Sequence, residues 1–211
     1  MTTDATDACT DDEILGRLAA AFPVDRPTDA ELRTRLAADA EREGLLDVSY
    51  RTMDSPFGPL LLAASPQGLV RVAFEVEDHD AVLTRLATAI SPRMLCSPQR
   101  TDDVARQLDE YFAGRRRHFE VHLDLQLVRG FRRAVISHLS EIAYGTTESY
   151  AAVARAAGNP AAVRAAGSAC AHNPIPLVVP CHRVVRSDGT IGGYLGGSGM
   201  KAALLAMEGA A

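Results

Sequence analysis

Glycine and proline punctuate the second half of the chain so closely that only short helices fit between them. Residues 130–145 (GFRRAVISHLSEIAYG) have helical spacing and run to Gly145, a residue suited to a helix C-cap. Residues 146–159 (TTESYAAVARAAGN) open on polar capping residues and close at Gly158-Asn159. Residues 160–174 (PAAVRAAGSACAHNP) open on Pro160, well placed for a first helical turn, and end before Pro174. Two short helices joined by a Gly-Asn-Pro turn fit a helix-turn-helix, whose second helix is presented to DNA. They fit an ordinary αα-hairpin equally well. The second helix is built of small residues, Ala165, Gly167 and Ser168 among them, and only Arg164 projects far. Such a surface allows close approach to a groove but carries little that reads bases, so contact would rest on shape and phosphates.

The upstream residues read differently. Residues 47–125 form an α/β unit. Three strands are expected in VSYRTMDSPFGPLLLAASPQGLVRVAFEV, with turns at DSPFG and SPQG. HDAVLTRLATAI and DDVARQLDEYFAG have helical periodicity, and HFEVHLDLQL (118–127) alternates like a strand. The run Arg115-Arg116-Arg117 reads as a solvated loop face. Residues 1–46 are acidic and Ala-rich. DDEILGRLAAAF and DAELRTRLAADAEREG predict a helical or partly disordered extension.

Charge follows the same division. Residues 1–125 hold 14 basic and 23 acidic side chains, a balance of −9; residues 126–211 hold 8 and 4, a balance of +4. The net charge of −5 therefore conceals a C-terminal part able to meet a polyanion and an N-terminal part that would be repelled by one. No apolar run of membrane-spanning length occurs, and the polar, acidic N-terminus lacks the features of a secretory signal, so a cytoplasmic location is expected. Cys9, Cys96, Cys170 and Cys181 form no CxxC pair and no Cys/His cluster with zinc-ligand spacing, so neither a disulfide scaffold nor a metal site is expected.

The informative segment is NPIPLVVPCHRVVRSDGTIGGYLGG, residues 173–197. An apolar run bounded by prolines leads directly into Cys181-His182. RVV-RSDG-TIGGY then reads as a hairpin turning at Ser187-Asp188-Gly189, and the chain closes in a helix, SGMKAALLAMEG, that carries Glu208. A Cys beside a His, with a carboxylate available to orient the His, is the nucleophile–base–orienter pattern of an activated thiol.

The PCHRV run, preceded by NP-x-P and followed by GGY and a terminal EG helix, resembles the O6-alkylguanine-DNA alkyltransferase family. The likeness runs from about Gly130 to Gly209, and YRTMDSPFGPLLLAAS adds a weaker match upstream; residues 1–46 lie outside it. The resemblance implies a mixed α/β (α+β) fold. A small antiparallel sheet with helices, ribonuclease-H-like, would precede a winged-helix-like helix-turn-helix domain over 126–211. It implies repair of double-stranded DNA by a single, irreversible transfer of an alkyl group from guanine O6 to Cys181, with no cofactor and a monomer as the default state. His182 would be the base and Glu208 its orienter. Tyr150 would donate a proton to the departing guanine, and Asn173 would tie the recognition helix to the active-site strand. Arg164 would enter the gap left by a flipped nucleotide. The carbonyl of Val184 and the loop of Tyr194, Leu195 and Gly196 would face the base.

Three features depart from the family's pattern. Ile136 stands where many relatives have Trp, Leu195 stands where they often carry Ser or a basic residue, and the acidic extension is additional. Other functions fit less well. A lesion sensor without transfer would lack Cys181, and a sequence-specific regulator would need base-reading side chains on residues 160–171. A small-molecule Cys–His enzyme would leave Arg164 and the basic C-terminal part without a purpose.

Overall fold

A computed structural model describes residues 28–210. The expected helix over DDEILGRLAAAF and the thiol of Cys9 lie outside the described residues. Residues 28–36 belong to one unit and residues 37–210 to another. Helix α1 (Asp29–Arg42) starts on a reciprocal cap. The Thr28 backbone N–H donates to the Glu31 carboxylate at 2.7 Å, and the Glu31 N–H donates back to the Thr28 hydroxyl at 3.3 Å.

The larger unit opens with the three expected strands, β1 (Val48–Met53), β2 (Leu60–Ser65) and β3 (Gly68–Phe74). They pair antiparallel in sequence, and a short β4 (Met94–Cys96) joins the free edge of β1 in parallel. The sheet is therefore mixed rather than purely antiparallel. The parallel strand follows from its connection: α2 (His79–Ala89) crosses one face of the sheet and returns the chain to the far edge.

Strand β2 is buried along its whole length because both sheet faces are covered. Leu61 and Ala63 point to the side packed by Val82 and Leu86 of α2. Leu60 and Leu62 point to the other, where α3 (Asp102–Phe112) supplies Val104, Leu108 and Tyr111. That second core continues without a break into Val135, Ile136 and Leu139 of α4 (Gly130–Leu139) and on to Cys181. One apolar core thus joins the sheet to the C-terminal helices. Ile136 is fully buried within it, so its departure from Trp bears on packing.

Residues 118–127 do not form the expected strand. Their alternation is real in burial, but only Leu123 bridges Leu69. The Leu69 N–H donates to His122 O, and the Asp124 N–H donates to Leu69 O, both at 2.8 Å. The segment then turns inward, where the Asp124 carboxylate accepts from the Ser65 hydroxyl at 2.5 Å. Helix α4 also ends earlier than its periodicity suggested, at Leu139. The carbonyl of Ile142, beyond that end, accepts from the guanidinium of Arg183 at 2.5 Å. Gly145 still adopts the left-handed conformation, at φ +75°, within the following turn.

The helix-turn-helix is present as α5 (Tyr150–Ala156) and α6 (Val163–Ala171), with Gly158 at φ +87° in the connection. The expected hairpin over 183–194 is not. The turn closes, with Arg186 N–H to Thr190 O at 3.0 Å, but β6 (Val184–Val185) pairs in parallel with β5 (Glu148–Ser149) instead. The chain beyond Thr190 passes beneath Tyr150 and takes no ladder partner. Helix α7 (Ser198–Glu208) closes the fold and ends on Gly209 at φ +71°.

Gly68 makes the contact between β3 and the 118–125 segment possible. Its φ is +142°, and a Cβ there would lie 2.3 Å from the backbone oxygen of His122. Gly68→Ala should therefore destabilise the protein by about 2 kcal/mol or more, because backbone on both sides must shift. Urea denaturation of the two proteins measures it, and a change under about 0.5 kcal/mol would show that the two segments separate freely.

Candidate active site

The segment 173–181 is a tight loop organised by one side chain. Asn173 is buried, donates through Nδ2 to Val179 O at 2.8 Å and accepts at Oδ1 from the Ile175 N–H at 3.0 Å. These bonds hold the loop against local strain: buried Leu177 sits at φ +72°, a conformation unfavourable for a branched side chain. The Asn173 side chain also favours the ionised form of the Cys181 sulphur. The residue expected in the bend is thus placed against both the loop backbone and the thiol.

Cys181 opens a single 3₁₀ turn, Cys181–Arg183, that leads directly into β6. Its thiol is buried, 3% exposed. Burial pushes its pKa up to about 11, against the opposing pull of the Asn173 hydrogen bond and the Lys201 charge. At rest the sulphur is therefore protonated, and removing that proton requires a base.

His182 is fully buried and donates through Nε2 to Glu208 Oε1 at 2.9 Å. Burial pushes its pKa down, more than the Glu208 carboxylate pulls it up, so the ring is neutral near pH 7. With Nε2–H committed to Glu208, Nδ1 is the basic nitrogen. It is buried with no hydrogen-bond partner among the described residues.

Glu208 lies on the last turn of α7, and four groups converge on it. Arg183 donates from Nε to Oε2 at 2.8 Å and from Nη2 to Oε1 at 3.0 Å. Tyr111 donates to Oε1 at 2.6 Å, and the Gly145 N–H approaches Oε2 at 3.5 Å. Burial alone would raise the pKa of this carboxylate, but the bonds from His182, Arg183 and Tyr111 outweigh it and hold the value at about 2.

Sequence reasoning missed Arg183, Tyr111 and Lys201. Arg183 adjoins the motif and was open to notice. Lys201 is fully buried, and its ammonium donates to the carbonyl of Val184 while standing 5.8 Å from the centre of the Tyr150 ring. A buried Lys is rare enough that only its surroundings reveal it. Tyr150 begins α5, and its hydroxyl lies where a Cβ on Gly192 would approach to 2.5 Å, so only glycine fits beneath it. Burial raises the Tyr150 pKa, and the phenol stays protonated. The Tyr194 ring stands 6.3 Å from His182 and 5.8 Å from Phe74, with its hydroxyl buried and unpartnered among the described residues.

The remaining expected residues fall outside this cluster. Arg164, Ala165 and Ser168 lie exposed on α6, while Gly167 lies against the Tyr150 ring. Leu195 lines a cavity of about 350 Å³ together with Asn173, Arg71 and Arg132. Gly196 is packed under Met200, whose sulphur would lie 2.3 Å from a Cβ there. Cys170 is buried, its pKa pushed up to about 12, and Cys96 is exposed away from the site. Among the described residues no cluster of three His, Cys, Asp or Glu side chains forms a metal site, and no helix is long and apolar enough to cross a membrane.

Comparison with known proteins covers both halves of this arrangement. Residues 130–210 match the model of the 6-O-methylguanine DNA methyltransferase DNA-binding domain, and residues 48–125 that of its ribonuclease-like domain. A methylated-DNA–protein-cysteine methyltransferase of Mycolicibacterium paratuberculosis is 40% identical over 163 residues, spanning 76% of this chain and 92% of that protein. One from Methanosarcina acetivorans is 36% identical over 160 residues, 76% of this chain and 97% of its own length. The crystal structure of Mycobacterium tuberculosis OGT in complex with DNA superposes with a TM-score of 0.64 at 38% identity, covering 76% of this chain and 92% of that one.

Glu208 also gives the site a pH signature. Its carboxyl is held at about 2 against an ordinary 4.5, so its ionised form contributes stability above pH 4.5 that is lost as the pH falls towards 2. The contribution is up to about 3 kcal/mol. Glu208→Gln should be less stable than the parent protein at neutral pH, with the gap closing between pH 4.5 and 2. Denaturant titrations across that range test this; a gap independent of pH would place the stabilising charge elsewhere.

Proposed function

The chain belongs to the 6-O-methylguanine DNA methyltransferase family and repairs DNA by moving an alkyl group onto a cysteine, and we propose that the acceptor is Cys181 and the lesion O6-alkylguanine. The observation that carries the proposal is the buried series Cys181, His182, Glu208, in which the one free ring nitrogen belongs to the residue next to the thiol.

The reaction requires a soft nucleophile at a saturated carbon, and a thiolate is the strongest a side chain offers. A thiol held near 11 does not ionise unaided at neutral pH. His182 Nδ1 takes its proton, directly or through one water, and the imidazolium is balanced by Glu208. The sulphur bonds to the alkyl carbon as the carbon–oxygen bond breaks, and the electron pair passes to the guanine. Tyr150, kept protonated by burial, supplies the proton that the departing base needs. Lys201 holds the Val184 carbonyl in place along the edge of the site and brings a positive charge towards the sulphur. No group here cleaves a thioether, so each molecule reacts once.

The target atom lies inside a duplex, and the nucleotide must leave the stack to reach a buried thiol. Arg164 is exposed on α6 among small residues and fills the vacated space. The rest of that helix binds through shape and phosphates, which suits a protein that searches any sequence as a monomer.

Incubation with O6-methylguanine duplex, followed by intact mass measurement and peptide mapping, should show one methyl group per chain on the peptide holding Cys181. Cys181→Ser should bind the duplex and transfer nothing; methylation persisting in that variant would assign the acceptor elsewhere. Arg164→Ala should slow repair in duplex by about tenfold or more, the scale of losing part of an unstacking contribution. Its reaction with free O6-benzylguanine should be unchanged, and equal slowing on both substrates would place Arg164 outside the flipping step.

A further inference from the structure

The carboxylate that orients His182 receives its shortest hydrogen bond from outside the C-terminal segment. Tyr111 sits on the last turn of α3, within the stretch that matches the ribonuclease-like domain. Its hydroxyl is 2.6 Å from Glu208 Oε1 and 3.5 Å from His182 Nε2. We propose that Tyr111 is a positioning residue of the transfer reaction, holding Glu208 and tempering how strongly His182 takes a proton. This rests on His182 acting as the base.

The argument is one of shared acceptor capacity. Oε1 accepts from Tyr111, from His182 Nε2 at 2.9 Å and from Arg183 Nη2 at 3.0 Å, while Oε2 is held by Arg183 Nε and approached by the Gly145 N–H. Each donor draws charge from the oxygen that faces the imidazole. Removing the hydroxyl leaves more negative charge for His182, which then binds its proton more tightly. Around His182 the other ionisable groups are the adjacent Cys181 thiol, Arg183 and Lys201, both cationic, and the Tyr194 phenol. None of them replaces a hydroxyl donor on Oε1.

The Tyr111 ring is fixed independently of its hydroxyl. It packs against Phe112, Phe119 and Tyr144, with ring centres 5.3 to 6.3 Å away. Burial and the adjacent carboxylate push the phenol pKa far up, so it remains a donor at every working pH. A side chain needed only for packing would be served by Phe in this cage. The hydroxyl is therefore the part of Tyr111 that addresses the reaction.

The test is the rate of methyl transfer from O6-methylguanine duplex to the full chain, measured against pH. Tyr111→Phe should move the midpoint of the acid limb up by about one unit, a roughly tenfold tighter hold on the His182 proton. Affinity for the duplex should stay the same. Site-specific 3-fluorotyrosine at 111, a stronger donor of the same shape, should move the midpoint down. An acid limb that disappears in His182→Gln but keeps its midpoint in both Tyr111 variants overturns the role of Tyr111 alone. A lower melting temperature with an unmoved midpoint does the same, since it describes packing. An acid limb that survives His182→Gln overturns the base assignment beneath the proposal, and the proposal with it.

Discussion

Glu208 is a buried carboxylate, and the geometry of the site follows from the need to satisfy it. Leaving such a charge without partners inside a protein would cost several kcal/mol. Its four partners come from three separate parts of the chain: the imidazole of His182 and the guanidinium of Arg183 from the 3₁₀ turn, the Tyr111 hydroxyl from α3, and the Gly145 N–H from the loop after α4. Meeting these bonds fixes where α7 ends, how the Cys181–Arg183 turn is oriented and how the N-terminal segment abuts both. Arg183 extends the pattern by taking the carbonyl of Ile142, in the loop that follows α4. The orientation of the His182 ring and the packing of α3 against the C-terminal segment are thus one network.

The thiol has the opposite electrostatic situation. Cys181 is neutral and content in apolar surroundings, and the groups that favour its ionised form, Asn173 and Lys201, do not overcome burial. The arrangement stores a weakly acidic thiol next to a neutral base. The pair is inert until something replaces the missing solvent around the charge that would form. On the function proposed above, an extrahelical base entering the site would be such a change, because it brings the electrophile and its own polar groups against the sulphur.

Much of this was legible in the sequence, and the failures have physical reasons. PCHRV and the terminal EG helix announced Cys181, His182 and Glu208 because their spacing is local or terminal. The two short helices were marked by Gly158, Asn159, Pro160 and Pro174. Tyr111 and Lys201 were invisible because their significance lies entirely in partners 97 and 17 positions away. Residues 118–127 carried true period-two alternation, yet alternation reports only which side chains face inward. A ladder also needs a partner edge, and β3 offers this segment a single bridge. The hairpin after Val185 failed likewise: its turn formed, but β5 captured the strand.

The left-handed Leu177 has a consequence beyond local geometry. A leucine held at φ +72° persists only while its surroundings insist on it, and Asn173 is what insists. That same Asn173 favours the ionised form of the Cys181 sulphur. On the function proposed above, the added alkyl group would sit against the loop that Asn173 holds, so the strain at Leu177 and the fate of the sulphur would be coupled through one amide.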